Sequence, residues 1–199
     1  MKLYAQYSVT SYCSASPDPG SKLTCLKNAC PDLAKNGVTA YKSFRGPKYG
    51  QRGSVAIDPT RKEVVLPFRG SASIQDAFVD LTINMLDCSR YAPGCKIHAG
   101  FQNSWADVKP ILKPMVEEAM AIIGSADLRR EGGIYKDAPQ YGYGSPRVGN
   151  QALAEFIQNQ NGPDYRITHF DDIATTVMPE IFGFRESFPE FYLAKGPAL

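Results

Sequence analysis

The stretch NSWADVKPILKPMVEEAMAIIGSADLRR, Asn103 to Arg130, decides the fold. Trp105, Val108, Ile111, Leu112, Met115, Val116, Ala119, Met120, Ile122 and Ile123 return every three or four positions, which lays one apolar stripe along a helix. Asn103 or Ser104 can cap its start, and Gly132-Gly133 stops it. Lys109, Lys113, Glu117, Glu118 and Asp127 supply the polar face.

Shorter elements lie on either side. Upstream, Ser73 to Leu86 reads as a short helix with Ile74, Ala77, Phe78 and Leu81 on one side, followed by a Cys88–Cys95 loop holding Pro93-Gly94. Ser54–Ile57 and Glu63–Phe68, joined through Asp58-Pro59-Thr60, read as a β-hairpin that ends at Arg69-Gly70-Ser71. Leu3 to Cys13 is helix-like, Ser16 to Gly20 is loop, and Cys25 to Lys35 is polar. Downstream, Gln140–Gly144 is an aromatic strand broken by Ser145-Pro146, and Asn150–Gln158 is a helix with Leu153, Phe156 and Ile157 inward. Tyr165–His169 is a strand followed by Asp171-Asp172, and Pro179–Leu199 reads as irregular. Strands alternating with helices predict an α/β layer fold with a largely parallel sheet, built as one domain over residues 1–199.

Composition excludes several functions. Twenty-two basic against twenty acidic side chains leave a net charge of +2, too little to argue for nucleic acid. No run reaches the roughly 18 apolar residues of a membrane span, and Met1–Cys13 lacks the apolar core of a signal peptide. Five cysteines leave at least one without a partner in the chain. Cys25–Cys30 and Cys88–Cys95 are each close enough to staple a short loop, which would imply an oxidising compartment. The rival is a zinc site at Cys88, Cys95 and His98, but no fourth ligand or second CxxC-like pair completes it, so no metal is expected.

Few residues offer chemistry on their own. His98 and His169 each read first as structural histidines, Ser71 as a turn residue able to offer a donor to developing negative charge, and Asp172 as a cap able to orient a histidine. A serine hydrolase of α/β type needs Gly-x-Ser-x-Gly, because the sharp turn brings backbones too close for a side chain two residues either side. No serine meets that pattern: Ser125 has Ile123 and Asp127 there, and Ser145 has Tyr143 and Arg147.

Several stretches, in order and over most of the chain, resemble the filamentous-fungal class 3 lipases of the α/β-hydrolase superfamily. They are Ala5-Gln6-Tyr7-Ser8 with Tyr12-Cys13, Leu23-Thr24-Cys25 with Asn28-Ala29-Cys30-Pro31, and Val64 to Ser71 with Ser73-Ile74. His98-Ala99-Gly100-Phe101 with Ser104-Trp105, Ala126 to Arg129, Tyr143 to Asn150, Tyr165 to His169 with Asp172-Ile173, and Pro189-Glu190 continue the series. The resemblance implies a secreted carboxylic ester (triacylglycerol) hydrolase that needs no cofactor and takes a lipid or ester substrate. It makes Asp172 the triad acid, Ser71 an oxyanion-hole residue, and Ile74, Phe78 and Val79 part of the lid. His98 and His169 fall at structural positions.

The same resemblance shows what to expect missing. The family's Gly-His-Ser-Leu-Gly elbow and the central strand before it would fall where Met120-Ala121-Ile122-Ile123 runs straight on, so the long helix reads as two helices fused across a deletion. The triad histidine and the partner of Cys13 would fall beyond Leu199, and the family's signal segment before Met1. Pro67 removes an N–H from a strand expected to be interior. The expectation is a lipase framework without nucleophile or triad base, of low stability and inactive. A non-catalytic fragment that binds lipid or a partner is the alternative, as is a relative of the feruloyl-type esterases, whose lid should be more polar.

Overall fold

Val64-Val65-Leu66 is a continuous apolar run because the chain there packs against a core on each of its faces. Val65 packs into one core with Tyr7, Leu23, Leu33, Val38, Ala40 and Ala56. Val64 and Leu66 point the other way, into a core built from Phe44, Val55, Val108, Leu112, Met115, Val116 and Ala119. The structure, a computed structural model, describes residues 2–13, 17–70, 83–122, 139–159, 162–187 and 189–194. The chain divides into two compact units, Met1–Asp76 with Asn103–Arg129, and Ala77–Gln102 with Arg130–Leu199.

The first unit holds an antiparallel sheet of β1 (Thr39–Arg45), β2 (Arg52–Asp58), β3 (Glu63–Val65) and β4 (Phe68–Arg69), with β3 and β4 both pairing β2. Helices α1 (Lys2–Cys13) and α2 (Pro31–Asn36) contribute Tyr7 and Leu33 to one core, and α3 (Ala99–Ile122) contributes Val108 to Ala119 to the other. Leu66-Pro67 interrupts the second arm of the hairpin between β3 and β4. Proline cannot donate to the ladder, yet its carbonyl still accepts from the Ser54 N–H at 3.2 Å. The expected disturbance at Pro67 is therefore a break of two residues in a ladder that resumes.

Nothing in a period-two pattern announces β1, because a bulge breaks it. The register slips between Ala40 and Lys42, so that Ala40 faces Ala56 in one core while Phe44 joins the other. Without the extra residue Phe44 would point to the opposite face.

Helix α3 confirms the stripe from Val108 to Ala119 and corrects its edges. It starts at Ala99, directly after the strand ending at His98, rather than at an Asn103 or Ser104 cap. The Ser104 hydroxyl instead accepts from Gln51 Nε2 at 2.7 Å. Trp105 is 41% exposed and stands outside the stripe. Pro110 and Pro114 lie inside the helix on its exposed side. The carbonyls they leave without a helical partner, on Ala106 and Pro110, belong to exposed residues and can be solvated. The side chains of Glu117, Met120 and Ile122, and Ile123 to Arg130 with Gly132-Gly133, lie outside the described residues. Of the expected fusion at Met120–Ile123, the backbone is described as far as Ile122 and is helical.

The second unit has an antiparallel pair, β5 (Met85–Asp87) with β6 (Lys96–His98), and a parallel sheet in the order β7 (Gln140–Tyr143), β8 (Asp164–His169), β9 (Glu190–Leu193). Among the described residues, parallel pairing is thus confined to this sheet, where α4 (Gln151–Gln158) lies in the crossover from β7 to β8. The segment after Pro179 is not irregular throughout, since it holds a single helical turn, Glu180–Phe182, and β9. Four residues were too short a run for alternation to show. Leu153, Phe156 and Ile157 of α4 pack around the Cys88–Cys95 disulfide, as their spacing predicts. Asn150 caps α4, its Oδ1 accepting from Leu153 N at 3.2 Å and from Lys96 N at 2.9 Å. Gly149 permits that approach, because a Cβ there would lie 2.4 Å from the Lys96 carbonyl oxygen.

Candidate active site

Asp172 is placed by the end of β8. The chain turns after His169, with Asp172 N–H donating to the His169 carbonyl at 2.8 Å. Its side chain caps the helical turn Ile173–Thr176, Oδ1 accepting from Ala174 N at 3.0 Å. Oδ2 lies over the backbone of Gly144, the residue that follows β7: a Cβ there would come within 2.3 Å of it. Gly144 also has φ +64°, a conformation that glycine adopts freely. The half-buried carboxylate therefore sits at the carboxyl ends of two adjacent parallel strands, where α/β sheets place their sites. Gly144 is the partner that sequence reasoning missed; its signal is its place directly after an aromatic strand.

Neither histidine is presented as a base. His98 is 2% exposed, its Nδ1 accepting from the Phe101 N–H at 3.4 Å and its ring packed near Phe101 and Phe184. His169 has Nδ1 3.9 Å from Asp171 Oδ1, a carboxylate on the open surface. His98 is enclosed by aromatic rings, whereas His169 Nε2 is buried with no hydrogen-bond partner among the described residues. Cys88 and Cys95 are joined in a disulfide, as are Cys25 and Cys30, so the thiolates of the rival zinc site are spent.

Behind β8 lies a charge network that the sequence did not reveal. Arg166 is 4% exposed. It pairs with Glu186 and Glu190, each at 3.1 Å, while Thr168 donates to Glu190 at 2.8 Å. Arg147 pairs with Glu186 at 2.9 Å and Glu180 at 3.1 Å, and donates to the Met178 carbonyl at 3.1 Å. It thereby fastens the far end of the segment that begins at Asp172. Burial raises the Glu186 carboxyl above its usual range, against the pull of Arg166 and Arg147. An arginine inside the strand Tyr165–His169 was the available signal.

In the first unit, the strand end leading to Ser71 is held by α1. The Gly70 N–H donates to the Tyr12 hydroxyl at 2.9 Å, and the Ser11 hydroxyl donates to the Phe68 carbonyl at 3.3 Å. The Arg69 guanidinium lies 5.7 Å from the Tyr12 ring centroid. Ser71 itself, the lid residues Ile74, Phe78 and Val79, and residues 73–82 of the short helix predicted over Ser73–Leu86 lie outside the described residues. The end of that predicted helix is corrected, since Met85 and Leu86 lie in the strand β5 and pair with His98 and Ile97.

The class 3 lipase family model matches residues 118–182. The secreted mono- and diacylglycerol lipase 1 of Fusarium solani is 32% identical over 98% of this chain and 63% of its own length. For the secreted mono- and diacylglycerol lipase A of Penicillium cyclopium the figures are 32%, 96% and 69%. The chain thus spans between about half and just over two thirds of the length of the curated relatives it matches, 63% for the Fusarium solani lipase and 53% for the lipase of Rhizopus niveus. Among solved structures, a fungal lipase superposes with a TM-score of 0.86 at 28% identity, covering 100% of this chain and 80% of that one. A mutant form of MDLA from Penicillium cyclopium superposes at 0.85 with 30% identity, covering 98% and 79%. The chain belongs to the class 3 lipases, and its fold is of the α/β-hydrolase type. The relatives' names carry the word secreted, and no helix among the described residues is long and apolar enough to cross a membrane.

Proposed function

We propose that this chain is a lipase-type framework for acylglycerol-like esters, of extracellular family, that does not hydrolyse them as it stands. Asp172 occupies the place of the triad acid, Ser71 that of an oxyanion donor, and Ile74, Phe78 and Val79 that of the lid. The observation that carries the reading is internal to the chain: lipase motifs stand on both sides of Met120–Ile123, yet no serine anywhere has glycine two residues before and after it. An acid and an oxyanion donor without a nucleophile form no acyl-enzyme, so the ester bond stays intact. The test is the purified full chain against p-nitrophenyl butyrate, with a fluorophosphonate probe added in parallel. We expect turnover at the buffer rate and no labelled serine. Turnover accompanied by labelling of one serine would overturn the proposal.

A second reading, binding of lipid without cleavage, is favoured by the apolar side chains around the acid. Ile173 is 61% exposed and Phe170 50%, immediately flanking Asp171-Asp172. Flotation of the chain with diacylglycerol-containing vesicles, with the acyl ester recovered whole, is its signature.

A further inference from the structure

We draw no further inference here: the strongest candidate, the side-chain cluster in which Ser11 and Tyr12 at the end of α1 hold Phe68 and Gly70, belongs to the oxyanion turn already described and leads directly into residues 71–82, which lie outside the described residues.

Discussion

Asp172 and Gly144 show how much one position can depend on another far off in sequence. Replacing Gly144 with alanine adds a methyl group where Asp172 Oδ2 already lies and imposes a side chain on a left-handed backbone. Gly144→Ala should cost about 1–3 kcal/mol, measured by urea unfolding, and should displace the Asp172 carboxylate. Tyr7 makes the complementary case in the first unit. Its hydroxyl donates to Asp58 Oδ2 at 2.9 Å, and Asp58 is fully buried. Burial, followed by the Asp58 carboxylate, holds the phenol well above its ordinary range. The folded protein therefore keeps this proton at pH values where the unfolded chain has lost it. Stability from this group is complete below about pH 10 and falls as pH rises beyond that. A series of alkaline melts should show that decline, and Tyr7→Phe should flatten it.

At the scale of elements, the sequence spoke most clearly where burial is one-sided and regular. The stripe Val108 to Ala119 was legible because α3 offers a single face to the sheet. The strand β1 was not, because its bulge shifts the phase between Ala40 and Phe44. The helix begins earlier than a cap at Asn103 or Ser104 implies, because the backbone passes directly from β6 into α3 at Ala99. Leu112 is 2% exposed at the centre of that packing. Leu112→Ala should cost about 2–5 kcal/mol and speed amide exchange along α3 in the same measurement. The candidate site was legible in part. Asp172 was read from its place after a strand and from the family resemblance, whereas Gly144, Arg147, Arg166 and Glu186 meet only through pairing that no local pattern records.

For the molecule as a whole, two disulfides close short local loops, with sequence separations of 5 and 7. Loop-closure entropy for spans of that size is worth about 2 kcal/mol each. Reduction under native conditions should therefore lower the denaturant midpoint by a corresponding amount, whereas oxidised protein held in parallel stays unchanged. The second face of the first sheet has a further consequence, which concerns how the chain is made. When β2 and β3 leave the ribosome, α1 and α2 are already available to cover Ala56 and Val65. Val55, Val64 and Leu66 must wait for Val108 to Ala119. Because translation adds only roughly 5–20 residues each second, that apolar surface stays bare for seconds on every nascent chain, long enough for a chaperone, or another unfinished copy, to reach it first.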